Sequence, residues 1–461
     1  MTAAGRNRVV IAVRATRRAH LSGAVFDTVA KTGAEVTRTE VSERPGGVLL
    51  RLHCRLGMGD TPEQLVGALA GLDGCAVDVV EDAVFLVHAG GKVGVDLRYP
   101  IATSEDLSQV YTPGVARVCT AIADDPSRVR DLTIKGNTVA VVTDGSAVLG
   151  LGNIGPEASL PVMEGKAALF KRFAGIDAWP IALDTQDVDE IVRTVAAIAP
   201  GFGGINLEDI SAPRCFEIER RLRDLLRIPV FHDDQHGTAV VVLAALRNAA
   251  RVVGKELHAL RVVVTGAGAA GAAVAHLLLV AGVTDIVLFD SKGALYTGRD
   301  NLDPDRTILA KRTNPRRHVG TLTGAMVGAD VFIGLSRPGM LTEQDVEHMA
   351  KGSIVFALAN PDPEIDPRIA ARHAAVVATG RSDFPNQINN VLAFPGIFRG
   401  LLDSGAHIIG DDLLIAAADA IASSVDPDVL SPGYIVPSVF RPGLADGVAQ
   451  AVVHAIAKGR A

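Results

Sequence analysis

The sequence predicts an α/β protein in three parts. They are a small ferredoxin-like module, an α/β unit with an acidic edge, and a second α/β unit of the Rossmann type that binds a dinucleotide. Three observations carry this reading. Residues 7–90 alternate as strand, helix, strand, strand, helix, strand, which is the ferredoxin-like order. From 106 to 254 short apolar or β-branched runs alternate with amphipathic stretches, the pattern of a parallel sheet. From Arg261 a strand leads into Gly266-Ala267-Gly268-Ala269-Ala270-Gly271 and then a helix.

Composition narrows the function classes. With 461 residues, 48% hydrophobic and 21% charged, the chain is long enough for about three domains with large cores. The expected divisions are 1–90, 98–253, 254–400 and a helical tail at 401–461. A net charge of -7 leaves no basic surface for nucleic acid. No apolar run reaches the roughly 18 residues of a membrane span. The basic start, residues 1–8, runs straight into Val9-Val10-Ile11-Ala12-Val13 without a signal cleavage pattern. Cys54, Cys75, Cys119 and Cys215 are far apart and form no CxxC pair. They read as free thiols of a cytoplasmic protein.

In the first module the strands are expected at 8–15, 35–42, 47–56 and 76–88, and the helices at 21–31 and 62–72. Leu50, Leu52 and Cys54 alternate with Arg51, His53 and Arg55, as a half-buried strand requires. No catalytic cluster lies here. The order and size are similar to an ACT domain, the small regulatory module that often binds amino acids. A ligand-free dimerisation module is the other reading. A glycine-rich linker follows, from Gly90 to Pro100.

The next unit has strands at Thr138–Thr143, 179–183, Gly204–Leu207 and 228–231, with helices at 161–173, 187–198 and 213–226 between them. Each strand ends in an acid: Asp144, Asp184, Glu208 with Asp209, and Asp233 with Asp234. In an open α/β sheet that edge is where ligands bind. Carboxylates converging there repel one another unless a cation lies between them. A hard divalent ion, Mg²⁺ or Mn²⁺, suits oxygen donors. The plain alternative is that such acids cap helices.

Two further features belong to this unit. Residues 144–156 form a glycine-rich loop without the ending of a P-loop, so it serves either a ligand or a turn. On the helix that follows, Lys166, Phe170 and Phe173 share one face, and Lys171 points away. Burial of Lys166 would lower its pKa and make it a base. A snorkelling surface lysine is the alternative.

In the last unit the strand 262–265, the glycine motif, a helix at 272–280 and the strand 286–289 ending in Asp290 give the dinucleotide fingerprint in its proper context. The pyrophosphate rests on the helix N-terminus, and the carboxylate meets the ribose hydroxyls. Asp290 favours NAD over NADP, although Lys292 close by could neutralise a 2′-phosphate. Strands at Val331–Gly334, Ile354–Ala357 and 375–378 follow, with Asn360 at one strand edge and an amide-rich loop from Ser382 to Val391. The tail reads as helices at 413–423 and 444–457.

Taken together, these segments resemble the malic enzymes of the compact bacterial type. The matching stretches are 110–115, 143–156, 161–166, 207–209, 231–239, 263–271, 356–361 and 388–396. The resemblance implies oxidative decarboxylation of L-malate to pyruvate and CO₂ with NAD or NADP and a divalent metal; a homodimer, and a small effector at the ACT-like module, are separate expectations. It implies that Lys166 takes the hydroxyl proton and Tyr111 protonates the enolate. It makes Glu208, Asp209 and Asp234 metal ligands, sets Asp233 beside the lysine, and puts Asn360 and Asn390 near nicotinamide and substrate. Ala147 departs from the pattern: larger members carry a carboxylate-binding arginine there, so the carboxylate clamp must come from elsewhere. The competing readings are an amino acid dehydrogenase, which needs no metal, and a non-catalytic nucleotide-binding sensor.

Overall fold

The computed structural model describes residues 8–16, 21–44, 47–57, 61–148 and 150–459. The chain divides into two compact units, one ending at Gly94 and one beginning at Val95. In the first, β1 (Arg8–Thr16), β2 (Glu35–Arg44), β3 (Gly47–Arg55) and β4 (Cys75–Asp82) form an antiparallel sheet in the order β2-β3-β1-β4. This is the ferredoxin-like topology. Its core takes Val9, Ile11 and Val13 from β1, Leu50 and Leu52 from β3, and Val25, Val29, Leu65 and Leu69 from the two helices. The period of two in the strands and the i, i+4 spacing in the helices place these residues on one side. The strand expected over 76–88 stops early. The Asp82 carboxylate accepts the Val84 N–H at 2.8 Å and caps a helix, Ala83–His88. A side-chain cap thus ends a run that composition alone reads as extended.

The second unit holds two sheets. The first has β5 (Thr138–Thr143), β6 (Asp177–Ala182), β7 (Gly204–Leu207) and β8 (Val230–His232), all parallel, in the order β6-β5-β7-β8. The other has β9 (Arg261–Thr265), β10 (Asp285–Asp290), β11 (Gly293–Ala294), β12 (Val331–Gly334), β13 (Ile354–Ala357) and β14 (Val376–Thr379) in the order β11-β10-β9-β12-β13-β14. Only the β10–β11 pair is antiparallel. The order reverses between β10-β9 and β9-β12, so the switch point of this Rossmann-type sheet falls at β9.

The helix Thr238–Val253 ties the two sheets together. Every residue from Ala239 to Leu246 is buried, since the run is apolar all round. It shares one core with Val139 and Val141 of β5, Val262 and Val264 of β9, and the tail helices Asp411–Ser423 and Leu444–Gly459. A buried polar pin fixes it: the Asn248 amide donates to the carbonyls of Ala422 and Ile435, each at 2.9 Å.

The lysine-bearing helix begins earlier than the sequence suggests, at Pro156 rather than near Pro161, and runs to Ala174. A proline at the first helical position loses no hydrogen bond, so the first of the two prolines marks the start. Gly175 ends the helix in the left-handed conformation at φ 64°. The face register is unaffected by the shift in the start. Lys166 and Phe170 are buried, Phe173 packs against the same core, and the Lys171 side chain is 62% exposed and pairs with Asp177.

Candidate active site

In the first sheet Leu207 of β7 pairs with His232 of β8. The residues that follow each strand, Glu208-Asp209 and Asp233-Asp234, therefore meet at one edge. The Asp233–Gly237 turn is a wide, five-residue one before the next helix. Gly237 is required there: a Cβ at that position lies 2.0 Å from an Asp233 carboxylate oxygen. From its helix Lys166 reaches into this edge. Its Nζ lies 2.6 Å from Asp233 Oδ2 and 2.8 Å from Glu208 Oε1, and 4.2 Å from the centre of the Phe394 ring. Asn390, from the loop after β14, donates to Asp233 Oδ2 at 2.9 Å, and the Thr238 hydroxyl donates to the Asn390 side-chain oxygen Oδ1 at 3.2 Å. The two sheets of the unit thus build one site.

The opposite side of the edge collects oxygens. One carboxylate atom from each of Glu208, Asp209 and Asp234 lies within 4.8 Å of the others. Asp209 adopts φ 54°, a strained conformation for a residue with a Cβ. It is held there by its N–H to Asp234 Oδ2 and by Ala147 N–H to its carbonyl, both 2.9 Å. Asn206, buried inside β7, donates to Glu208 Oε2 at 2.8 Å. An all-oxygen donor set with strained, over-determined backbone fits a hard divalent cation.

Charge in this edge is unbalanced. Burial pushes the Glu208 carboxyl well above its ordinary value; Lys166 opposes that, while Asp233, Asp234 and Asp209 add to it. The expected depression of the Lys166 pKa is not what the arrangement gives. Burial does disfavour the ammonium, but the carboxylates of Asp233 and Glu208 outweigh it and hold the pKa above the ordinary lysine value. The sign depends on two neighbours that helix periodicity does not reveal.

Other expected residues separate from the cluster. Asp144 is buried and bound to Arg214 at 2.8 Å, and Asp184, after the edge strand β6, is exposed. Acids therefore converge from two strand ends, not four. Tyr111 does not join Lys166 within the chain. It is 68% exposed, because the helices on either side of it, Ser104–Val110 and Val115–Asp124, bury no residue. The glycine-rich loop is packed by backbone: a Cβ on Gly145 lies 2.2 Å from the Gly155 carbonyl, and one on Gly150 lies 2.5 Å from the Asn360 carbonyl. Gly145 and Gly150 serve close backbone approach, and Gly150 sets this loop against the strand edge that carries Asn360.

At that edge Gly266 has φ 96°, and a Cβ on Gly271 lies 1.7 Å from the Gly266 carbonyl. Gly268 faces open space, and the helix Ala269–Val280 starts with no side-chain cap. Free backbone N–H groups beside an uncluttered glycine are what a pyrophosphate needs. Asn360 is exposed at the end of β13. Behind it the buried Glu364 accepts the Ser336 N–H at 3.0 Å and the Ala359 N–H at 3.1 Å, joining the loops after β12 and β13. Burial raises its carboxyl above the ordinary range. Asp290 does not stand alone. Arg299 Nη2 lies 2.8 and 2.7 Å from its two oxygens, and Lys292 supplies only its backbone N–H, at 2.8 Å. Arg299, Glu364, Asn206, Arg214 and Phe394 were absent from the sequence reading. Of these only Asn206 left a signal, a lone amide inside an apolar strand.

Comparison with known proteins agrees with this geometry. Residues 91–223 match the malic enzyme N-terminal domain family, and residues 235–458 match the malic enzyme NAD binding domain family. An NAD-dependent malic enzyme of Geobacillus stearothermophilus is 58% identical over 391 residues, covering 85% of this chain and 82% of that one. A bifunctional malic/malolactic enzyme of Bacillus subtilis is 57% identical over 367 residues, covering 79% and 90%. The crystal structure of an NAD-dependent malic enzyme from Thermotoga maritima, 48% identical, superposes with a TM-score of 0.78 over 81% of this chain and 99% of that one. With two family domains over most of its length and a lysine–carboxylate edge facing a dinucleotide fold, the chain belongs to the malic enzyme family.

Proposed function

We propose that the protein oxidatively decarboxylates L-malate to pyruvate and CO₂. The observation that carries this reading is Lys166, buried and held between Asp233 and Glu208 at the edge where Glu208, Asp209 and Asp234 converge. When bound, a Mg²⁺ or Mn²⁺ ion at those three carboxylates supplies Lewis-acid polarisation, and NAD at the glycine edge supplies the hydride acceptor. The chain does the rest. Lys166 Nζ, once it has passed its own proton to Asp233 Oδ2 at 2.6 Å, takes the proton of the malate C2 hydroxyl as the neutral amine. Asp233 Oδ2, itself fixed by Asn390, keeps the amine aimed. Phe394 closes one side of the lysine against water. Asn360 and Asn390 orient nicotinamide and substrate.

Carbon must be protonated after CO₂ leaves, and Tyr111 is the acid we assign. Its exposure in one chain, along with that of Leu107, Val110 and Val118 on the same two helices, supports a homodimer in which these helices are covered. The ferredoxin-like module holds no member of the site, which supports a regulatory role with a small effector. A chain starting near Val93 should then keep turnover and lose the effector response; loss of turnover in a folded truncation overturns that role. The four free thiols suit a reducing, cytoplasmic compartment. Family membership sets aside the amino acid dehydrogenase and the non-catalytic sensor.

The deciding assay is dinucleotide reduction with malate, with NAD⁺ and NADP⁺ in parallel and with Mn²⁺ or a chelator. Turnover that needs Mn²⁺ supports the reading, and chelator-insensitive turnover refutes it.

A further inference from the structure

The turn that presents Asp233 and Asp234 is anchored by a carboxylate outside the site. The next two side chains of the turn both reach Glu219, on the helix Arg214–Leu225. Gln235 Nε2 donates to Glu219 Oε2 at 3.0 Å, and His236 Nε2 lies 2.6 Å from Glu219 Oε1. The His236 ring also packs against Phe231 of β8, with 5.5 Å between centres. Glu219 is held in turn from its own helix. Arg223 Nη1 lies 3.6 Å from Oε1, and the other terminal nitrogen of Arg223 donates to the Ile409 carbonyl. The Glu219 side chain is 7% exposed. It stands on the buried face of its helix with Cys215, Ile218 and Leu222. A buried charge in an apolar stripe gains little stability over a hydrophobic side chain of similar volume, so stability does not account for it. Burial alone would raise its carboxyl, but His236, His232 and Arg223 outweigh that and hold it below the ordinary range.

We propose that Glu219 is a positioning residue for the cation site: it fixes Gln235 and His236, and through them the place of Asp234 beside Glu208 and Asp209. The inference rests on the metal-site reading above and deepens it. Gln235 and His236 belong to the same five-residue turn as Asp234. That turn is tied on both sides of Asp234. Ahead of it, Asp233 meets Lys166 at 2.6 Å; after it, Gln235 and His236 meet Glu219. The carboxylates at this edge repel one another. A turn released from Glu219 lets Asp234 move away, and binding must then draw it back, which weakens affinity. A cavity of about 350 Å³ reaches Glu219 and Gln235 from solvent, lined also by Phe216, Arg220, Arg223 and Asp224. A small carboxylate can therefore enter the space that loss of the Glu219 side chain leaves.

The test is Mn²⁺ binding to the full chain by calorimetry, with NADH binding by fluorescence alongside. Glu219→Ala should raise the Mn²⁺ Kd by about 10- to 100-fold, the usual loss when a ligand's outer partner is removed, and leave the NADH Kd near native. Its kcat should recover at saturating Mn²⁺, because the defect lies in placing Asp234. A merely destabilised protein would lose kcat at every Mn²⁺ level. Sodium formate, against chloride of equal strength, should lower the Mn²⁺ Kd of Glu219→Ala and not that of native protein. Glu217, exposed on the same helix and paired with Arg221 at 3.3 Å, is the control: Glu217→Gln should bind Mn²⁺ as native protein does. An unchanged Mn²⁺ Kd in Glu219→Ala overturns the proposal. So does a parallel loss of NADH binding, an equal loss in Glu217→Gln, a kcat that stays low at saturating Mn²⁺, or formate that restores nothing. If Glu219→Ala fails to fold, as judged by circular dichroism, Glu219→Gln replaces it, keeping the volume and losing the charge. A raised Mn²⁺ Kd there supports the proposal, and a native one overturns it. Native protein that binds no Mn²⁺ defeats the metal-site reading itself, and the Glu219 role falls with it.

Discussion

The two sheet edges of the catalytic unit solve opposite problems. At the ends of β7 and β8 the chemistry is carried by buried charge: four carboxylates and one ammonium, most of them enclosed. At the ends of β9 and β13 it is carried by backbone, by glycines with no room or no need for a Cβ, and by Glu364 satisfying two N–H groups. The first edge is sensitive to loss of charge at constant shape. The second is sensitive to added atoms at constant charge. Substitutions that respect this distinction can separate chemistry from cofactor binding.

The largest effects belong to the charged edge. Asp234→Asn removes one of three converging oxygens' charge and should abolish turnover at ordinary Mn²⁺ while NADH binding stays near native. Near-native turnover in that variant would contradict the metal assignment. Lys166→Ala should cut kcat by at least about 10²- to 10⁴-fold, the range for a lost general base. Lys171→Ala breaks an exposed pair with Asp177 and should cost at most about 1 kcal/mol of stability and little activity. Equal losses in the two lysine variants refute the helix register.

Gly271→Ala tests the glycine edge. The added Cβ meets the Gly266 carbonyl at 1.7 Å, so backbone must move. NADH affinity should fall by more than tenfold, on the order of a 1–3 kcal/mol overpacking cost, while Mn²⁺ affinity is retained. If Mn²⁺ binding is lost equally, the two edges are not separable.

A smaller effect is expected at Glu364. Its raised carboxyl pKa means that the folded state binds the proton more tightly than the unfolded chain does. The stability it contributes is complete below the ordinary value of 4.5 and declines as pH rises through the raised one. Glu364→Gln should abolish that decline and raise KM for NAD by several fold, since one of two N–H partners is lost at about 1–3 kcal/mol. An unaltered stability–pH profile counts against an ionising Glu364. The mildest test is thiol labelling. Burial pushes Cys54 to about 11 and Cys215 to about 12, so both should resist alkylation at pH 8. Cys119 is exposed on the helix after Tyr111 and should react in monomer and be protected in a homodimer. Full reactivity in an assembled dimer removes that helix from the interface.

What was legible in the sequence was local. Asp233 and Asp234 follow an apolar run directly, and the Lys166 face follows from a spacing of four, so neither needs tertiary information. The dinucleotide fold was legible because strand, glycines, helix and Asp290 occur within one contiguous stretch. What escaped was set across distance. Asp290 and Arg299 meet through a hairpin turn, and Glu364 meets Ser336 through adjacent parallel strands. The Lys166 pKa took the opposite direction from the expectation because burial was visible in the pattern and its two carboxylate partners were not. The strand over 76–88 was overdrawn because Val84 to Val87 are apolar, yet they lie on the outside of a capped helix.

The wide turn at Asp233–Gly237 has a consequence for motion. Its closing bond runs from the Thr238 N–H to the Asp233 carbonyl, so both aspartates ride on one rigid ring at the head of the buried helix. Asp233 faces the lysine and Asp234 faces the Asp209 peptide. Neither can shift without carrying the other. On the proposed roles, proton abstraction and cation capture would share one lever, and a disturbance of the helix Thr238–Val253 would be felt by both at once. Amide hydrogen exchange at residues 233–238 should accordingly slow as a single cooperative group when Mn²⁺ binds.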